Sequence, residues 1–340
     1  MKNKNAVLKI LAELCRLLIG VVFIFSGFVK AVDPMGGAIK IGEYLASFGL
    51  DMLQPFTVLL SFNLSAIEFA LGVCMLLGVY RRYVSFLILI FMAFMTPLTL
   101  YLALFDPVSD CGCFGDALVI SNWETFFKNI VLSLAAIVTF IYNQRLFQCF
   151  TFRAYWFVAL YAYLFGVGFA YYNYNHLPVI DFRPYKIGAN IPKLMEMPEE
   201  APQDEYKYTF VYEKDGVKKE FSLEDYPAND SSWTFVDSKT ELVKKGYQPP
   251  VAAFNIYNGK GDDVMEEIIG NPGPVLLLVA PKLEEADDEQ MDEINGVYDY
   301  ALEHDIPFYC VTGSSPEAID TWSDNTGAEY PFRMADEVLL

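Results

Sequence analysis

The chain has 340 residues, 54% of them hydrophobic and 16% aromatic, and its mean hydropathy of +0.27 is too high for an ordinary soluble protein of this size. Charge divides it near Tyr171, with 11 Lys+Arg against 9 Asp+Glu before that residue and 13 against 34 after it. A single globular domain is therefore excluded. The acidic half argues against nucleic acid as a partner, because phosphate binding needs a basic surface, and two histidines leave little room for a histidine-rich metal site.

Five windows approach the length of a bilayer-crossing helix: 8–29, 57–80, 84–104, 126–142 and 154–171. The first follows Lys2 and Lys4 as a signal peptide would, yet it is too long for one and carries Glu13 and Arg16, so a retained helix is expected. Between the first two windows, Ile39, Ile41, Tyr44, Leu45 and Phe48 alternate with Lys40, Glu43 and Ser47. That pattern predicts a short interfacial helix over one mouth of the bundle. Lys and Arg collect in the N-terminus and in the loops at Arg81, Arg82, Arg145 and Arg153. The bias places the N-terminus in the cytoplasm, and five spans then put everything after Tyr171 outside, with segments 30–56 and 105–125.

Charges inside the membrane need partners. Glu13 and Arg16 share a helix face and can neutralise each other. Glu68 lies mid-span, where an ionised carboxylate is expensive, so it either pairs with Arg16 or Lys30 or stays protonated. Lys30 and Asp33 could form an interfacial pair of their own.

The soluble half opens with a linker at 173–200 punctuated by Pro178, Pro184, Pro192 and Pro198. Strands are expected at 206–212 and 217–221, flanking Lys214-Asp215-Gly216 as a hairpin, and again at 251–257, 275–280 and 306–312. Helices are expected at 264–269, 287–304 and 316–325. The strand–helix–strand order over 251–334 resembles a thioredoxin-like domain, a parallel βαβ arrangement. That resemblance implies a Cys-x-x-C after the strand at 275–280, where this chain reads Pro281-Lys282-Leu283. It also implies a cis-proline and a final hairpin, which a shortened domain or a fragment would lack.

The chemistry is expected in Asp110-Cys111-Gly112-Cys113-Phe114-Gly115-Asp116, on the outer side after the third span. A Cys-Gly-Cys disulfide closes a small strained ring that accepts electrons readily, and Gly112 supplies the backbone freedom to close it. Three readings stay open: a redox pair, a loop brace or two free thiols, and a metal site with Asp110 and Asp116.

Ser26-Gly27-Phe28-Val29-Lys30-Ala31-Val32-Asp33-Pro34, Glu68 with Gly72, and the block Cys111-Gly112-Cys113-Phe114-Gly115-Asp116 resemble the DoxX/MauE superfamily. The resemblance covers about 7–145 and implies a membrane helical bundle linked to extracytoplasmic disulfide formation or thiol redox. The resulting expectation is an all-α membrane bundle, a four-helix DoxX/MauE-like core over 1–145 with a fifth transmembrane helix at 146–172. An acidic α/β domain over 201–340 follows, thioredoxin-like from about 251. The chain would sit in a bacterial inner membrane with its C-terminal domain periplasmic. Cys111 and Cys113 are the catalytic candidates, with Glu68, Lys30 and Asp33 as polar sites in the bundle. The expected partners are the lipid bilayer and an external thiol or disulfide protein. A quinone in an apolar pocket beneath the cysteines is the one cofactor entertained, and no resident metal is expected.

Overall fold

The computed structural model describes residues 2–105, 108, 111–198, 201–202, 205–214, 217–222, 233–244, 246–247, 249, 251, 255–286, 288 and 290–335. The chain divides into two compact units, 1–186 and 187–340.

The first unit is helical. Its elements are α1 (Lys2–Val32), α2 (Pro34–Ser47), α3 (Thr57–Leu77), α4 (Arg81–Phe105), α5 (Asn122–Ile141) and α6 (Tyr155–Asn175). Four stretches among the described residues are long and apolar enough to cross a membrane: Asp51–Leu77, Arg81–Phe105, Asn122–Ile141 and Phe152–Asn175. Their apolar side chains point outward in large number, as expected of helices solvated by lipid. The expected interfacial helix is α2. It starts at Pro34, whose missing N–H suits the first helical turn, and Asp33 caps it by accepting the Gly36 N–H at 2.9 Å. Helix α5 begins four residues before the apolar window that marks it. Ser121 and Glu124 form a reciprocal capping box there, a signal that polarity alone hides.

Helix α1 lies along α3, α5 and α6. Small residues set how near α1 and α3 approach. A Cβ placed on Gly27 would lie 2.4 Å from the Phe69 backbone nitrogen, and one on Gly72 would lie 2.5 Å from the Ile24 nitrogen. Backbones in such contact bring short side chains of one helix within reach of the other, as in other small-residue packings between membrane helices. At the end of the bundle far from the cysteines, Arg16 pairs with Glu13 at 2.6 Å and donates to the Leu76 carbonyl. Glu13 in turn accepts the Phe147 N–H. Arg16 is thereby committed and leaves Glu68 to another partner.

The second unit contains a short helix α7 (Ile191–Met195) and two sheets. Strands β1 (Glu205–Lys214), β2 (Val217–Ser222) and β3 (Thr234–Lys244) form an antiparallel sheet in the order β2-β1-β3. Lys214 opposes Val217, the register of the expected hairpin, whose turn at 215–216 lies outside the described residues. The other sheet is built from β4 (Ile256–Tyr257), α8 (Met265–Ile269), β5 (Leu276–Val279), α9 (Met291–Glu303), β6 (Phe308–Thr312), α10 (Pro316–Thr326) and β7 (Phe332–Ala335), with strand order β4-β7-β6-β5. Strand β4 is shorter than the expected 251–257, and 252–254 lie outside the described residues.

The expected βαβ step is present, since β5 and β6 pair in parallel. The next strand departs from the hairpin that the thioredoxin resemblance implies. Instead of entering an antiparallel hairpin, β7 pairs in parallel with β6 and takes β4 as its antiparallel neighbour. No cis peptide bond occurs among the described residues. The path of the chain to the β6 edge follows the end of α10: the helix stops on Gly327 in the left-handed region, and Tyr330 packs with Phe308 into the core.

Candidate functional site

The Cys-Gly-Cys loop sits at one end of the bundle, between α4 and α5. Gly112 has φ +62°, a conformation that favours glycine, and a Cβ there would also press on Lys40 of α2 at 3.2 Å. Helix α2 lies against the loop. Tyr44 donates its hydroxyl to the Cys111 carbonyl at 2.8 Å, and Cys111 packs with Leu102, Val108 and Tyr44 at 7% exposure. Phe114, the next residue after the pair, packs edge-on against Phe25 of α1, while the Lys128 ammonium of α5 stands 4.1 Å from its ring centre.

Both cysteines are free thiols and they hydrogen-bond each other. The pair is polarised. Donation from Cys111, joined by the ammonium groups of Lys128 and Lys30, lowers the Cys113 thiol to about 6 against the opposing effect of burial. The Cys111 thiol is raised, because it is the donor to Cys113 and because it is buried. Asp110 lies outside the described residues, so the arrangement weighed as a metal site with Asp116 is not described.

Behind Cys113 the bundle is polar. Lys30 meets both carboxylate oxygens of Glu68, at 2.7 and 2.8 Å. Glu68 is 2% exposed, and the Lys30 side chain 12%. Ser26, one turn before Lys30, lies 2.6 Å from Glu68 Oε2 and 2.8 Å from the Cys113 carbonyl oxygen. The structure therefore brings four of the expected residues together: Cys111, Cys113, Lys30 and Glu68. It leaves out Asp33, whose carboxylate is spent on the cap of α2, so the expected Lys30–Asp33 pair gives way to Lys30–Glu68. The glycine-mediated approach of α1 and α3 explains the choice, because it sets Lys30 beside a desolvated carboxylate. Sequence reasoning missed Ser26 and Lys128 as members. Ser26 falls one turn ahead of Lys30 on a packed face, a spacing that could have flagged it. No spacing of that kind marks Lys128.

A cavity of about 30 Å³ lies under Cys113, lined by Ser26, Lys30, Glu68, Lys128 and Asn129 together with apolar side chains such as Phe91 and Met92. It has room for one or two waters and polar groups to hold them. Ligand pockets run to about 300–1,000 Å³, so this cavity is sized for water.

Residues 8–142 match the family model of the methylamine utilisation protein MauE, and residues 206–245 match that of a domain of unknown function, DUF8463. No curated protein and no solved structure matches the chain. The helical half is thus similar to the MauE family, and the cysteine loop falls inside the matched region.

Proposed function

We propose that this is an integral membrane thiol–disulfide exchange protein acting through Cys111 and Cys113. The observation that carries the reading is the polarised pair: two thiols in contact at one end of the bundle, one raised and buried, the other facing two ammonium groups. In the oxidised protein, a thiolate of an external dithiol partner attacks Cys111 Sγ and the Cys111–Cys113 bond breaks. Cys113 leaves as a thiolate, held by Lys30 and Lys128, and a low thiol pKa makes it the better leaving group. The partner's second thiol then displaces Cys111, which takes up a proton. The partner ends as a disulfide and the pair as one thiol and one thiolate, with the remaining proton released. Because α2 covers Cys111, attack requires α2 to move from the loop. No step is routed through a quinone.

The MauE match supports a membrane role in redox or in maturation of a partner. Helix α1 crosses the bilayer as a fifth span, which with the Lys/Arg bias sets the N-terminus in the cytoplasm of a bacterial inner membrane and the cysteine loop and acidic domain outside. The acidic domain then works by binding rather than by redox chemistry. Its one cysteine, Cys310, is fully buried in β6, where burial pushes the thiol up to about 12.

Purified full-length protein, oxidised and mixed with a reduced dithiol protein, is expected to oxidise about one equivalent of it. The rate should follow ionisation of the attacking partner thiol, since the low pKa of Cys113 makes it a good leaving group at any pH. Absence of exchange with any dithiol would leave the pair as a loop brace and remove this function.

A further inference from the structure

The chain between the cysteine loop and α5 is open on one side. A short turn at Gly115–Ala117 follows the pair, and the Ser121–Glu124 capping box fixes the start of α5. Leu118, Val119 and Ile120 lie between them. Leu118 is extended, with φ −153° and ψ 93°, and Ser121 is extended again at φ −60° and ψ 157°. Two β-branched residues in a row suit that conformation. Among the described residues, no backbone N–H or C=O of Leu118, Val119 or Ile120 has a hydrogen-bond partner. The segment is a short strand edge without a neighbour.

Its side chains are apolar and open, Leu118 at 49% exposure and Val119 at 69%. Lipid does not account for them, because hydrocarbon tolerates no exposed, unpaired backbone. A second observation ties the edge to the exchange site. Leu118, Val119 and Ile120 share with Cys111, Cys113 and Thr125 the walls of one cavity of about 10 Å³, enough for a single polar atom but not for a side chain. The Thr125 hydroxyl in that wall is fully buried and has no hydrogen-bond partner. A buried hydroxyl left unsatisfied is costly, and the cavity is the place from which a ligand reaches it.

We propose that Leu118–Ile120 is the docking edge for the external dithiol partner, which lays a cysteine-bearing segment beside it as an added strand. This rests on the exchange reading above. Backbone hydrogen bonds hold the partner strand about 4.8 Å away, Leu118 and Val119 cover its apolar side chains, and the Thr125 hydroxyl bonds one polar backbone atom next to the partner's cysteine. The sulfur meets Cys111 once α2 has left the loop. Recognition through the main chain asks for an extended cysteine segment with apolar flanks, so the partner class is an unfolded or strand-edge dithiol chain rather than a helix.

The test uses the oxidised full-length protein and a reduced Cys-x-x-Cys peptide preceded by a short run of Val and Thr, with exchange followed by alkylation. Alternate amides of a strand point to opposite edges. N-methylation of the amides on one edge is therefore expected to slow exchange by about tenfold or more, and methylation on the other edge to change it by less than about twofold. Thr125→Val, which keeps the side-chain shape, should raise the peptide concentration giving half the maximal rate by about three- to tenfold. In the oxidised protein reconstituted in bilayers, Val119→Cys should react promptly with a membrane-impermeant maleimide. Equal rates for the two methylated peptides, an unchanged concentration dependence in Thr125→Val, or protection of Val119→Cys by lipid overturns the proposal. A wild-type pair that dithiothreitol cannot reduce overturns the exchange reading itself, whereas reduction by dithiothreitol with no edge preference among the peptides removes only the docking edge.

Discussion

Cys113→Ser should arrest exchange halfway. The variant retains Cys111, and an oxidised external partner can join it in a mixed disulfide. With no neighbouring thiolate to displace that partner, the adduct should persist and be visible as a species of raised mass that collapses on reduction. Cys111→Ser should behave differently. The remaining Cys113 faces the interior cavity with Lys30 and Lys128, so adducts with a protein-sized partner should be scarce, while its reaction with small alkylating reagents should shift to higher pH because the donation from the Cys111 thiol is lost. Turnover should be lost in both, by at least about 100-fold, since neither can close the disulfide. Equal trapping by the two variants would contradict the assignment of Cys111 as the sulfur attacked.

Lys30→Met is the second substitution with a large expected effect. It leaves Glu68, 2% exposed, without its partner inside the bundle. Breaking a buried ion pair on one side costs about 3–5 kcal/mol, because the remaining charge is uncompensated. The detergent-solubilised variant should unfold at correspondingly lower denaturant. Adding Glu68→Gln removes the orphaned charge and should recover most of the stability without recovering exchange. A Lys30→Met protein within about 0.5 kcal/mol of the wild type would mean that the pair is effectively hydrated.

Much of the bundle was legible because lipid imposes length and polarity on a helix. The apolar windows fell on α3 to α6, and the alternation around Tyr44 identified α2. The Cys-Gly-Cys loop stood out for the same reason, as a polar, glycine-rich break between two spans. Glu68 announced that it needed a partner, but the choice among Arg16, Lys30 and no partner depended on the approach of α1 to α3 at Gly27 and Gly72. Such an approach leaves no trace in local periodicity. Asp33 was placed with Lys30 by proximity in sequence, whereas the unsatisfied N–H groups at the start of α2 had the stronger claim. Lys128 became legible only once Phe114 was seen to fold back beneath it. In the soluble half, β5, α9 and β6 followed from length and apolar run. Which edge of the β5–β6 pair β7 joins was not encoded locally, because a parallel strand can add to either free edge and tertiary packing of Tyr330 decides.

The central claim is that Cys111 and Cys113 cycle. It is tested most directly by alkylating thiols in intact native membranes and measuring by mass spectrometry what fraction of the pair is reduced. Cycling predicts both forms together, with their ratio shifting when respiration is blocked. A pair found wholly oxidised or wholly reduced under every condition, in cells where Cys→Ser variants function normally, would contradict it.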